Sequence, residues 1–185
     1  MNNWHLNQAL RALHGGGVIA YPTEAVWGLG CDPFNAAAIE RLLELKRRPM
    51  HKGLILVASD MTQIKPLLQG LSDDQLAQLE ASWPGPVTWL IPDPRGWAPE
   101  GVRGRHSSVA VRVSAHPVVR ALCAAFGGPL VSTSANRSAA APARSKLKVN
   151  TYFGSELDYV VPGALGKLER PTQICDLGSK QLIRE

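Results

Sequence analysis

Leu6, Leu10 and Leu13 recur three and four positions apart in a polar stretch, which places them on one stripe of a helix over residues 4–14. Gly15-Gly16-Gly17 ends that helix, because glycine adopts helix-terminal turns at little steric cost. The pattern then changes to short apolar runs that read as strands, at 17–21, 54–58, 87–91, 109–113 and 129–133. Between them, Ile39, Leu42 and Leu43 form the apolar stripe of a helix over 36–46, with Asn35 as its N-cap. Residues 61–68, 73–83, 116–126 and 145–153 also read as helical, and 159–161 and 173–176 as closing strands. Residues 92–104 and 138–143 read as surface loops. Strands and helices interleave without strict alternation. The expectation is an α/β fold (α+β by stricter schemes) in which one twisted, open, mixed β-sheet is flanked by helices.

The chain has 185 residues and 45% apolar content, enough for one well-buried domain over 1–185. It shows no internal repeat and no linker between cores. No apolar run approaches the length that spans a bilayer, and Met1-Asn2-Asn3-Trp4-His5 lacks the basic start and apolar stretch of a signal peptide. A cytoplasmic location without a membrane partner is therefore expected. Cys31, Cys123 and Cys175 are odd in number and scattered, which fits reduced thiols, and Cys123 reads as core packing. The five histidines pair with no cysteine or carboxylate at metal-ligand spacing, so no metal site is expected in the protein.

A net charge of +5 implies anionic partners, whether nucleotide, RNA or both. The cations concentrate in Lys46-Arg47-Arg48-Pro49-Met50-His51-Lys52-Gly53, directly before a strand. Val131-Ser132-Thr133-Ser134-Ala135-Asn136 puts small hydroxyls and an amide at the end of another. A cationic loop facing a hydroxyl-rich loop suits a nucleoside triphosphate, whose anionic oxygens need several charged donors. A third loop is expected over 21–32, with Thr23 and Glu24 at a strand mouth and Gly28 and Gly30 permitting a turn or close approach to a ligand. Thr23 suits a ligand contact and ordinary turn chemistry equally, whereas Trp27 reads as a core aromatic. Pro33 stands where a dinucleotide fingerprint needs its third glycine, and no Gly-Lys-Ser/Thr follows Gly15-Gly16-Gly17.

Tyr21-Pro22-Thr23-Glu24 with Gly28-Leu29-Gly30-Cys31-Asp32, Lys46-x-Arg48-Pro49-x-x-Lys52, Trp83-Pro84-Gly85-Pro86-Val87-Thr88, Val109-Ala110-Val111-Arg112-Val113 and Ser134-Ala135-Asn136-x-Ser138 occur in an order that resembles the YrdC-like family. The resemblance covers nearly the whole chain, and the short, single-domain bacterial members are the most similar. It implies a twisted mixed sheet with a basic concave face. It also implies an enzyme, a nucleotidyltransferase that condenses L-threonine, bicarbonate and ATP into threonylcarbamoyl-AMP with release of pyrophosphate. Partner proteins would then transfer the threonylcarbamoyl group to the adenosine beside the anticodon of tRNA. Magnesium would accompany the ATP, held by Glu24, Asp32 or Asp176 or by triphosphate oxygens and water alone. No organic cofactor is implied.

A carbamate formed from threonine's amine and bicarbonate is itself a nucleophile, so positioning and charge neutralisation carry such a reaction. Lys46, Arg48 and Lys52 would clamp the triphosphate, with Arg47 turned to solvent. Arg112 suits the threonine carboxylate, because its planar fork binds carboxylates bidentately. Ser108, four residues earlier on the same strand, faces the same way. By resemblance, Ser108, Ser134, Asn136 and Pro142 join Arg48 and Lys52 in binding ATP, and Thr23 and Ser132 join Arg112 in binding threonine.

Ala140, Ser114, Gly53 and Pro171-Thr172 depart from residues usual in the family, which leaves backbone detail and a role for Thr172 open. Two other classes compete. One is a non-catalytic RNA-binding or ribosome-maturation module that uses the same basic face. The other is a serine hydrolase built on Ser145-Lys146-Leu147-Lys148, which lacks the accompanying Lys-Thr-Gly.

Overall fold

The structure, a computed structural model, describes residues 1–184. Helix α1 (Asn3–His14) leads into strands β1 (Ile19–Pro22) and β2 (Trp27–Gly30), then helix α2 (Ala36–Lys46) and β3 (Ile55–Ala58). Short α3 (Lys65–Leu68), α4 (Asp73–Ser82), β4 (Val87–Pro92), short α5 (Glu100–Arg103) and β5 (Ser108–Val113) follow. The chain continues through α6 (Pro117–Phe126), β6 (Leu130–Ser134), α7 (Lys146–Phe153) and strands β7 (Tyr159–Val160), β8 (Gln173–Asp176) and β9 (Leu182–Arg184). One nine-stranded sheet in the order β7-β1-β2-β6-β3-β5-β4-β8-β9 runs through the described residues. It is mixed: β3 pairs parallel with β5, whereas β6 pairs antiparallel with both β2 and β3.

Local chemistry explains most element boundaries. The Asn35 side chain accepts from the Ala38 amide at 3.1 Å, which caps α2 as expected. Ser72 and Gln75 form a reciprocal capping box that starts α4. Pro66 sits at the start of α3, so the helix expected over 61–68 divides into a 3₁₀ turn at Met61–Ile64 and this single α turn.

Three elements depart from expectation. Trp27–Gly30 is a buried strand between β1 and β6 and not a glycine loop. Gly28 and Gly30 put no polar side chain between Trp27 and Leu29, so the strand lacks the apolar–polar alternation of a half-buried strand. Their bareness admits neighbours: a Cβ on Gly30 would lie 2.8 Å from the Tyr21 ring. Within 92–104, α5 buries Val102, whose carbonyl accepts from the Leu54 amide at 2.7 Å. The third is β9, which pairs with β8 at the sheet edge.

Alternation along the strands sorts side chains to the two faces. Ile19, Tyr21, Val57 and Leu130 pack under α1 and α6, with Cys123 in that core as expected. Leu56, Val111 and Val131 point the other way, into the larger core with α2, α4 and α7. Val57 lies opposite both Arg112 and Leu130, and Ile55 opposite both Ala110 and Ser132. Arg112, Ser132 and Ser134 therefore share the face that α1 and α6 only partly cover. No helix of the described residues is long and apolar enough to cross a membrane.

Candidate functional site

Two adjoining cavities open on the uncovered part of that face. The first, of about 270 Å³, receives Thr23, Gly28, Arg112, Ser132, Ser134 and Pro142 together with Thr172. The second, of about 220 Å³, receives Lys52, Arg103, His106 and Ser108. Arg48, Leu54 and Ile55 line both and form the ridge between them. Among the described residues lining either cavity there is no carboxylate, so the combined space favours anions. Gly28 makes room on the floor: a Cβ there would lie 3.2 Å from the Thr23 methyl carbon and 3.5 Å from Ser132 Oγ. Trp27 does belong to the core, as expected, and also lines the first cavity.

Arg112 is only 6% exposed and is fixed from two sides. Its Nη1 donates to Thr172 Oγ1 at 2.5 Å, and its Nη2 pairs with Glu24 Oε2 at 3.3 Å. Glu24 Oε1 in turn accepts from Ser114 Oγ at 2.5 Å. That hydroxyl oxygen also accepts from the His116 amide at 3.1 Å. His116 Nε2 lies 3.2 Å from the Ala164 carbonyl, which can only accept, so Nε2 carries the proton. Burial pushes the His116 imidazole below its ordinary value, against the pull of Glu24. Thr23 Oγ1 donates to the Val26 carbonyl at 2.7 Å, so it both closes its turn and faces the cavity.

The cationic loop divides its charges. Arg47 adopts φ 51° and is exposed, which reverses the chain so that Lys46 and Arg48 point to different places. Arg48 Nη2 donates to the Gly53 carbonyl at 2.9 Å and reaches the cavity ridge. Gly53 has φ 63°, a conformation proline cannot adopt, and packs 3.0 Å (from a notional Cβ) against the Arg103 carbonyl. Lys46 turns inward and is 4% exposed. Its Nζ donates to the Ser134 carbonyl and, at 2.9 Å, to the Asn136 carbonyl. Burial, then the neighbouring Arg48 charge, pushes this amine down to about 7.

The structure thus places Lys46 apart from Arg48 and Lys52, with which the sequence groups it. Neither Lys46 nor Asn136 is among the described residues lining the two cavities. Asn136 is occupied within its own loop: Oδ1 accepts from Ser134 Oγ at 2.6 Å, and Nδ2 donates to the Ala140 carbonyl at 2.7 Å. For Lys46, backbone carbonyls delivered by a distant turn satisfy the side chain, and sequence spacing carries no sign of that. Thr172, left open by the sequence, stands in the first cavity against Arg112. Arg103 and His106 line the second, and only their basic character in the sequence could have marked them.

The carboxylates considered for magnesium are engaged elsewhere. Glu24 is paired with Arg112 and Ser114. Asp32 Oδ1 accepts from the Phe34 amide, and Asp176 Oδ1 from the Ser179 amide and hydroxyl. Among the described residues no group of three or more His, Cys, Asp or Glu side chains gathers to hold a metal. The Ser145–Lys148 pair is structural too. Ser145 Oγ caps α7 by accepting from the Lys148 amide at 3.2 Å, and Lys148 Nζ lies over the Tyr152 ring.

Known proteins supply an independent comparison. The Sua5/YciO/YrdC family model, described as "Telomere recombination", matches residues 11–185. A Marinobacter nauticus protein named threonylcarbamoyl-AMP synthase is 57% identical over 91% of this chain and 89% of its own length. A Hahella chejuensis protein of the same name is 50% identical over the full length of both. Among solved structures, P. abyssi Sua5 complexed with L-threonine superposes with a TM-score of 0.89 at 26% identity, covering 96% of this chain. This chain spans about half of that one, 52% of its length.

Proposed function

We propose, since the chain belongs to the Sua5/YciO/YrdC family, that it makes threonylcarbamoyl-AMP from L-threonine, bicarbonate and ATP with release of pyrophosphate. The product serves as the donor for threonylcarbamoyl modification of tRNA. The observation that carries this reading is the pairing of a cavity built around one oriented guanidinium with a second, cation-rich cavity across a shared ridge. A carboxylate-bearing amino acid fits the first. A polyphosphate fits the second.

In this reading Arg112 receives the threonine carboxylate in its remaining donors, with Thr23, Ser132 and Thr172 around the substrate. Glu24 and Thr172 hold the guanidinium plane, so it need not reorganise when threonine arrives. Ser134 and Pro142 take the nucleoside side, and Arg48, Lys52 and Ser108 take the triphosphate. Threonine's amine forms a C–N bond to the bicarbonate carbon with loss of one water. The carbamate oxygen then forms a new bond to the α-phosphorus as the bond to the bridging oxygen breaks, and that oxygen leaves with pyrophosphate. Charge accumulates on the departing β,γ-phosphates, and fixed cations at Arg48 and Lys52 stabilise it most in the transition state. No protein nucleophile is needed. Among the described residues no group of carboxylates gathers as a metal cage, so in this reading a divalent ion would accompany the ATP substrate.

The basic face also gives the protein a weak, sequence-insensitive affinity for RNA, which falls with salt. Purified protein supplied with magnesium, ATP, threonine and bicarbonate should release pyrophosphate without RNA. Release that ignores threonine and bicarbonate, or that requires a particular RNA, would sink the assignment.

A further inference from the structure

Lys46 is a buried ammonium at the end of α2 with no carboxylate paired to it among the described residues. Oxygens of a single turn surround it: the carbonyls of Ser134 and Asn136, with Asn136 Oδ1 at 3.5 Å. Bonds also run in the opposite direction. The Ser138 amide donates to the Lys46 carbonyl at 2.8 Å, and Ser138 Oγ donates to the Arg47 carbonyl at 2.7 Å. Residues 46–47 and 134–138 are therefore stitched together from both sides, although the Lys46–Ser134 contact joins positions 88 apart in sequence.

We propose that Lys46 is a positioning residue that locks the Ser134–Asn136 turn to the end of α2 and does not touch the triphosphate. This rests on the reaction proposed above. Arg48 follows Lys46 by two residues and lines both cavities, while Ser134 lines the first. The ammonium thereby sets the spacing between the group that meets the phosphates and the group that meets the nucleoside. Burying a cation without a counter-charge is costly, and carbonyl dipoles offset that cost only when they converge on it. An apolar side chain could fill the same volume, yet it could not draw two carbonyls of one turn together. The depressed basicity of the amine agrees with a charge enclosed by protein, not one held out for a ligand.

Titrating the full chain with ATP and with inorganic tripolyphosphate separates positioning from direct clamping. Lys46→Met should weaken ATP binding on the order of tenfold and leave tripolyphosphate binding within about twofold of the parent. Lys52→Ala, which removes a phosphate-facing charge, should weaken both. Ser138→Ala cuts the same stitch without altering any charge and should reproduce the Lys46→Met pattern in milder form. The two changes should be non-additive in a double-mutant cycle on ATP affinity. Should Lys46→Met fail to fold, Ser138→Ala and Lys46→Arg carry the comparison. Loss of tripolyphosphate affinity in Lys46→Met to the extent seen in Lys52→Ala would overturn the proposal, as would unchanged ATP affinity and turnover. Failure of the parent chain to release pyrophosphate with threonine would overturn the reaction instead, and the binding comparison would still be readable.

Discussion

Arg112 and Thr172 stand 60 positions apart in the chain, and the Arg112 Nη1 donates to the Thr172 hydroxyl oxygen at 2.5 Å. The bond ties the segment before β8 to the middle of the sheet and closes one side of the first cavity. Since Thr172 accepts from arginine, its own proton is directed either to a ligand or to Thr88 Oγ1, 3.4 Å away. A residue that reads as a peripheral departure in the sequence thus shapes the environment of the central guanidinium.

Arg112→Lys keeps the charge but loses the planar fork that Thr172 and Glu24 hold in place. The KM for threonine should rise at least about tenfold, while the KM for ATP changes little. Steady-state pyrophosphate release with each substrate varied in turn measures both. An equal rise in the two constants would remove Arg112 from carboxylate recognition.

Glu24→Ala strands that guanidinium, which lies in a site where both partners' side chains are at most 10% exposed. Removing one member of a buried pair costs about 3 kcal/mol or more. Urea unfolding should show a lower midpoint with an unchanged slope. Glu24→Gln should cost less, because it can still accept from the Ser114 hydroxyl. Equal stability of parent and Glu24→Ala would mean that the pair contributes nothing to the fold.

Lys52 is exposed on the single turn Met50–Lys52 and lines the second cavity. Lys52→Ala should lower adenylate formation roughly a hundredfold, the usual scale for one preorganised charge-stabilising group. Its unfolding midpoint should match the parent, since the side chain covers little core. A folded variant with near-normal turnover would take Lys52 out of the reaction.

Lys46 leaves a signature in stability against pH. Its amine is held at about 7 in the fold, against an ordinary value of 10.5 when the chain unfolds. Between those values the unfolded chain binds a proton that the native state has released. Stability therefore rises with pH through that window, by about 1.4 kcal/mol per unit at most. Below the window both states are protonated and the cost of burying the charge is fully present. Denaturant titrations near pH 6 and pH 8.5 should show the parent gaining stability relative to Lys46→Met at the higher pH. A difference that does not vary with pH would contradict the depressed value.

Periodicity and residue chemistry are local properties, and they settled much about this protein without coordinates. The Ile39, Leu42 and Leu43 stripe, the Asn35 cap and the apolar runs around Leu56, Val111 and Val131 specify their elements through side-chain spacing alone. The mixed sheet with flanking helices follows from their order. The conjunction of Arg48, Lys52, Arg112, Ser132 and Ser134 as anion-seeking groups could likewise be read from residue type and place. Tertiary structure decided which neighbour of a pair faces the cavities. Two glycines hide β2, because they set no polar side chain against Trp27 and Leu29 for an apolar–polar alternation to be detected. Lys46 and Arg48 look equivalent in sequence. A left-handed residue at Arg47 separates them, and carbonyls from a turn almost ninety positions away capture the first. Glu24 resembles a metal ligand until Arg112 and Ser114 are found beside it. Such outcomes depend on which distant groups arrive at hydrogen-bonding distance, and only the folded chain determines that.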